Sequence, residues 1–204
     1  MKRQHTIDTI TDRRRQRLES VLRRRQTDLT IVLENVWDPH NVSAILRSAD
    51  AVGIRSLYLL YTVESAPNLK RHGKQSSASA TKWLEFEVFD NTEKCFSALR
   101  DKGFKVYASH LTEHSMGLHS IDFTQKTAIV LGNENRGVSE EACRLSDGIY
   151  FIPMMGMVES LNVSVAAAVS LYEALRQRSE AGCYDTPQLG EDGVRETLIE
   201  WARK

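Results

Sequence analysis

Apolar positions along the chain fall into short blocks separated by polar, glycine-bearing stretches, and the blocks alternate between helical and extended spacing. Between residues 6 and 26, Ile7, Ile10, Leu18, Val21 and Leu22 recur at a loose three-to-four spacing with arginines filling the other positions, which predicts an amphipathic helix. Residues 29–36 form a compact β-branched run and predict a buried strand. Asp38-Pro39 opens a helix, because Asp suits the N-cap and Pro the first helical position; it runs to about Val52 and stops at Gly53. A strand is predicted over 56–62, then a long polar loop over 64–81 that holds at most a short helix. The remaining pattern predicts strands at 85–89, 105–111, 127–131 and 148–154. Helices are predicted at 92–102, at 139–146 with Ser139 as N-cap, and at 160–178. Residues 182–193 read as a linker, and a last helix reaches about Arg203.

Strands alternating with helices predict an α/β fold: a mainly parallel sheet with helices on both faces, plus helical extensions at each end. Three segments result: a basic N-terminal arm (1–28), the α/β domain (29–178), and a linker with a C-terminal helix (179–204). Ligands of such sheets sit beyond the carboxyl ends of the strands. The loops after residues 36, 62, 111, 132 and 154 are therefore where chemistry is expected.

Composition narrows the class. With 41% apolar and 26% charged residues the chain is an ordinary globular one, and no apolar run approaches the roughly 20 residues a membrane helix needs. The N-terminus is arginine-rich without an apolar segment and carries Asp8, Asp12 and Glu19, unlike a secretory or transit signal, so a cytoplasmic protein is expected. Cys95, Cys143 and Cys183 form no CxxC pair; reduced thiols are expected, not disulfides or zinc. The formal net charge is zero, but Arg13, Arg14, Arg15 and Arg17, with Arg23 and Arg24, concentrate positive charge near the N-terminus. Residues 70–74, ending in Lys74, add a second basic stretch. Such local blocks suit RNA phosphates better than the net charge suggests.

Three of the strand-end loops carry distinctive residues: Asn41 and Arg47 after the first strand; Leu131, Gly132, Glu134 and Gly137 after the strand at 127–131; and Ile152, Met154, Ser160, Leu161 and Asn162 leading into an alanine-rich helix. Taken singly, each permits a plain reading as caps and turns. Taken together, in this order and spacing, they resemble the SpoU family of RNA ribose methyltransferases over roughly residues 28–178. Within the family the resemblance is greatest to members that 2′-O-methylate the D-loop guanosine (position 18) of tRNA, carried by the basic N-terminal helix, residues 156–166 and residues 172–178.

The resemblance implies a C-terminal deep trefoil knot, a rare exception to the topology rules. It also implies a homodimer and S-adenosylmethionine as cofactor, held by Ser109, Leu131, Gly132, Ile152, Met154 and Leu161; the absence of GxGxxG agrees with an unusual nucleotide site. It assigns Arg47 and Asn41 to catalysis and Glu134, Ser160 and Asn162 to positioning. Arginine does not give up its proton, so Arg47 acts either beside an RNA phosphate that accepts the hydroxyl proton, or by fixing that phosphate while water accepts it. Asn41 is expected to hold Arg47 or the ribose.

Other patterns count for less. His110, Glu113 and His114 match H-x-x-E-H, but they follow a strand without helical periodicity, so no metal site is expected. Asn41 and Asn162 head N-x-S triplets, irrelevant without secretion. Methylation of ribosomal RNA or of another tRNA ribose, a non-catalytic RNA binder on the same fold, and a base-nitrogen methyltransferase are the competing readings.

Overall fold

The computed structural model describes residues 10–67 and 80–204. Its elements are α1 (Asp12–Leu22), β1 (Leu29–Glu34), α2 (Pro39–Ala51), β2 (Ser56–Leu60), α3 (Ala80–Trp83), β3 (Glu85–Phe89), α4 (Thr92–Asp101) and β4 (Lys105–Ser109). These are followed by β5 (Met116–Gly117), a 3-10 turn (Leu118–Ser120), β6 (Thr127–Leu131), α5 (Glu140–Leu145), β7 (Gly148–Phe151), α6 (Val163–Glu180) and α7 (Gly190–Trp201). The strands form one seven-stranded sheet in the order β3-β2-β1-β6-β4-β7-β5, and every strand pair in it is parallel.

Burial follows from strand geometry. Successive side chains point to opposite faces. Ile31 and Leu33 of β1, with Ile129 and Leu131 of β6, join α2 and α6 in one core. Their neighbours Val32, Ala128 and Val130 join Cys95, Phe96 and Leu99 of α4 and Ala142 of α5 in a second core on the other face. Central strands covered on both faces are buried at every position, which is why β1 and β6 show no alternation in burial and why their polar members, Thr30, Glu34 and Thr127, are buried as well.

A third, smaller core joins the extensions: Leu18 and Leu22 of α1 pack on Val194, Leu198 and Trp201 of α7. The two ends of the chain thus cover each other. Arg178, fully buried at the end of α6, fastens them to the sheet domain by donating to Gln26 Oε1 at 2.7 Å and Asp28 Oδ1 at 2.6 Å.

Local signals account for most boundaries. Asp38 caps α2 by accepting from the His40 amide at 2.8 Å, Pro39 occupies the first turn, and Ser139 caps α5 through the Ala142 amide at 3.1 Å. Gly53 ends the turn after α2 at φ +87, where a Cβ would stand 2.7 Å from the Arg24 carbonyl oxygen.

Several boundaries differ from the sequence expectation. β1 stops at Glu34 instead of residue 36 because Asn35 adopts φ +52, a left-handed conformation that Asn tolerates and a strand cannot continue. β2, β4 and β7 also end two or three residues early, since the chain leaves the sheet to build the loops above it. α6 begins at Val163, capped by Asn162, and α7 begins at Gly190, inside the expected linker. β5 was not expected: two residues that pair with β7 carry no periodic signal. The expected N-terminal helix is described from Asp12, and Ile7 lies outside the described residues. Most of the 64–81 loop, including Lys74, also lies outside them.

Candidate active site

The strands β1, β6, β4 and β7 are neighbours in the sheet, so their carboxyl ends gather the three distinctive loops at one edge. Glu134, in the loop after β6, is the hub. Its Oε1 accepts from the Asn41 side-chain amide at 2.9 Å and from the Asp38 N–H at 3.0 Å, while Oε2 accepts from the Trp37 N–H at 3.1 Å. Burial alone would raise the Glu134 pKa. The donors from Asn41, Trp37 and Asp38 outweigh burial and leave it below the ordinary carboxylate value, so Glu134 is an anion near neutral pH.

Asn41 passes the connection on. Its Oδ1 accepts from Asn162 Nδ2 at 3.1 Å. Asn162 in turn caps α6, accepting from the Ser164 N–H at 2.8 Å and the Ser164 hydroxyl at 2.6 Å. One polar chain, Glu134–Asn41–Asn162, therefore ties all three loops together. The orientation of both amides follows from it: a carboxylate can only accept, so Asn41 must present its NH₂ to Glu134 and its oxygen to Asn162.

Arg47 is not part of this chain. It is exposed on α2 and, among the described residues, makes no hydrogen bond or ion pair. Six residues after Asn41, it lies about 120° round the helix and about 9 Å along it. Asn41 therefore does not hold Arg47 within the protomer, as the sequence reading allowed; it holds Glu134 and Asn162. Ser160 is exposed just ahead of the α6 cap.

Of the residues expected at the cofactor, Ser109, Leu131 and Ile152 lie at the ends of neighbouring strands. Ser109 ends β4, Leu131 ends β6, Ile152 follows β7, and Met154 and Leu161 flank the loop into α6, with Ile152, Met154 and Leu161 all half-buried. Ser109 is in register with Tyr150, whose hydroxyl lies 2.8 Å from Ser170 Oγ on α6. Burial pushes the Tyr150 phenol up to about 12, against hydrogen bonds from Ser170 and Ser109, so it stays neutral as a structural tie.

Gly132 opens a loop closed on itself. The Asn133 N–H donates to the Gly137 carbonyl at 3.1 Å and the Gly137 N–H returns to Asn133 at 2.8 Å. A Cβ on Gly132 would stand 2.1 Å from the Gly137 carbonyl carbon, so only glycine fits there. Half-buried apolar side chains, one hydroxyl and a tight glycine loop suit a flat heteroaromatic ring and an amino-acid tail, and they fit the adenosyl cofactor that the resemblance implies.

Sequence reasoning missed two supports. Asn35 Oδ1 accepts from the Thr62, Val63 and Glu64 amides at 2.9, 3.0 and 3.3 Å and orders the loop after β2. Asn133, buried and donating to the Asn35 carbonyl oxygen at 2.8 Å, joins that loop to the one after β6. The only sequence signal for Asn35 was an Asn interrupting an apolar run; Asn133 had none.

The basic arm divides. Arg13, Arg14, Arg15 and Arg17 are exposed on α1, Arg15 close to Asp12 at 3.3 Å. Arg24 is exposed beside Ser20. Arg23 is committed elsewhere, with both terminal nitrogens 2.8 Å from the Glu191 carboxylate of α7. His110, Glu113 and His114 lie in an irregular turn after β4, and the described residues contain no cluster of three or more groups able to hold a metal. No described helix is long and apolar enough to cross a membrane.

Comparison with known proteins adds to this geometry. The SpoU rRNA Methylase family profile matches residues 28–172. A Thermus thermophilus protein named tRNA (guanosine(18)-2′-O)-methyltransferase is 47% identical over 194 residues, covering 95% of this chain and 98% of that one. The crystal structure of an A. aeolicus TrmH/SpoU tRNA modifying enzyme superposes with a TM-score of 0.84 at 38% identity, over 94% of this chain and 96% of that one. A Streptomyces viridochromogenes SpoU methyltransferase, AviRb, solved in complex with the cofactor AdoMet, superposes with a TM-score of 0.65 at 30% identity, covering 74% of this chain and 57% of that one.

Proposed function

Because the chain belongs to the SpoU methylase family, we propose that it transfers a methyl group from S-adenosylmethionine to the ribose 2′-hydroxyl of guanosine 18 in tRNA. The observation that carries this reading is the Glu134–Asn41–Asn162 chain at the edge that also gathers Ser109, Leu131, Gly132, Ile152, Met154 and Leu161. Near-complete coverage of a tRNA (guanosine(18)-2′-O)-methyltransferase at 47% identity supports the substrate.

The cofactor supplies an already activated methyl group. The protein's task is to bring a weakly nucleophilic hydroxyl into line with it and to help the proton leave. Glu134, Asn41 and Asn162, with Ser160, are assigned to positioning the target nucleotide. The Arg47 guanidinium serves as an electrostatic clamp on an RNA phosphate. The hydroxyl proton then leaves either to that phosphate or to water. Arg47 is exposed and has no partner among the described residues, which leaves its guanidinium available for this. Arg13, Arg14, Arg15, Arg17 and Arg24 form the phosphate-binding arm, with Lys74 as a further contact, and binding weakens steeply with salt.

The same reading includes a deep trefoil knot. In its favour, β7 lies between β4 and β5, which are themselves joined by residues 110–115 across the edge where the chain leaves β7. It includes a homodimer: Val165, Val169 and Tyr172 form an exposed apolar stripe on α6, and Met155, Met157 and Val158 are exposed in the preceding loop. A second copy is the economical cover for such a patch. The arm (1–28), the methyltransferase domain (29–178) and the C-terminal linker and helix (179–204) divide the labour. The expected compartment is the cytoplasm.

The test is methyl transfer from labelled S-adenosylmethionine to an unmodified tRNA transcript, beside one already 2′-O-methylated at guanosine 18. Label in the unmodified transcript alone is expected. Label in both moves the site, and label in neither, with the cofactor still bound, refutes the tRNA substrate. Arg47→Ala should abolish turnover and spare cofactor affinity; near wild-type turnover would refute its role.

A further inference from the structure

Trp37 stands apart from the other tryptophans. Trp83 and Trp201 pack together, ring centroids 4.8 Å apart, in the core that joins the two extensions. Trp37 is 72% exposed. Its neighbours on either side are well employed: Val36 is buried, and Asp38 caps α2. Its backbone is not loose, since its N–H and that of Asp38 both donate to the Glu134 carboxylate, at 3.1 and 3.0 Å. The fold thus holds a large indole in solvent, by main-chain bonds, on the same carboxylate that orients Asn41. An indole left in water forfeits the burial that makes tryptophan favourable, so such a placement points to an external partner.

We propose that Trp37 stacks on the base of the nucleotide whose ribose is methylated, making it a positioning residue for the reaction; this rests on the RNA-methyltransferase reading above. A nucleobase is the partner that fits. It is flat, it has a π-face whatever its identity, and aromatic side chains take up unstacked bases in this way. The tether is short as well: Trp37 is joined through one carboxylate to Asn41, and a base lies one glycosidic bond from the ribose that the Asn41 chain is assigned to hold. A second copy of the chain is the other possible cover. The apolar stripe assigned to that contact lies on α6 and its preceding loop, whereas the Trp37 main chain is held by the Glu134 carboxylate that also takes Asn41.

The experiment is a double-mutant cycle on the full-length protein. Wild type, Trp37→Phe, Trp37→Leu and Trp37→Ala are each assayed with intact tRNA and with tRNA lacking the base at the target nucleotide. Loss of stacking predicts tRNA affinity for Trp37→Ala about 5- to 150-fold weaker, with cofactor affinity unchanged. Trp37→Phe should recover part of this loss and Trp37→Leu much less. On abasic tRNA all four proteins should bind alike. Equal losses on intact and abasic tRNA would overturn the proposal, as would Leu matching Phe. A shift from dimer to monomer in sedimentation equilibrium on Trp37→Ala would overturn it too, by assigning Trp37 to the subunit contact. Methyl transfer by the wild type to guanosine 18 is the control: its failure would refute the function, whereas an active wild type with an indifferent Trp37 would refute only the stacking.

Discussion

Asn41→Asp gives a sharp test of the polar chain at the site. The change is isosteric, but it replaces the Asn41 NH₂, 2.9 Å from Glu134 Oε1, with a second carboxylate oxygen. At that separation two unit charges repel by about 1.4 kcal/mol in a water-like medium and about 6 kcal/mol at an effective dielectric of 20. The pair avoids this by keeping a proton, so its apparent pKa rises by roughly one to four units above an ordinary carboxylate. The native pair then binds a proton that the unfolded chain releases. A folded pKa above the unfolded one means stability present at low pH and lost as pH rises through the folded value. Thermal denaturation and methyl transfer would be followed from pH 5 to 9 for wild type, Asn41→Asp and Asn41→Ala. Asn41→Asp should approach wild-type stability at pH 5 and fall progressively below it towards pH 8. Asn41→Ala should be displaced by a constant amount. Parallel stability profiles for the two variants would refute the contact between Asn41 and Glu134.

Other consequences follow from the same packing. Gly132→Ala places a Cβ 2.1–2.2 Å from backbone atoms of Gly137 and Val138, so the loop must open; cofactor affinity measured by calorimetry should drop sharply, and unchanged affinity would refute the role of this loop. Arg178→Ala removes a buried cation from its pair with half-buried Asp28 and strips Gln26 of a partner; denaturant unfolding should show a loss of about 1.5–3 kcal/mol, and a loss under 1 kcal/mol would contradict it. Glu173 is held down to about 2, chiefly by Arg176; its contribution is therefore present above the unfolded value near 4.5 and lost as pH falls towards 2. Replacing it with Gln should flatten the acid limb of the stability curve, and an unaltered limb would show that the pairing contributes nothing.

Much of this molecule was readable from local pattern. β3 and β6 have the expected limits, and α2 and α5 start at the expected caps, because capping, strand periodicity and left-handed turns are decided within a few residues. The alternation of elements was enough for a parallel sheet with helices on both faces, and the three loops were identifiable as candidates since strand ends of such sheets meet at one edge.

Partnership was not readable. Arg23, Arg25 and Arg178 look like any other basic residues, yet Arg25 and Arg178 are buried and Arg23 binds Glu191 from the far end of the chain. Trp37 directly follows a buried apolar run that ends at Val36, yet it stands in solvent. Asn41 and Arg47 are near in sequence, but the helix turns them apart, and Asn41 meets Glu134 and Asn162 instead. β5 exists only because β7 offers it an edge. The chain encodes the shape of each element through short-range sterics and hydrogen bonds. Which side chains meet depends on how distant segments pack, and that is decided only when the sheet closes its order and both ends of the chain fold onto each other.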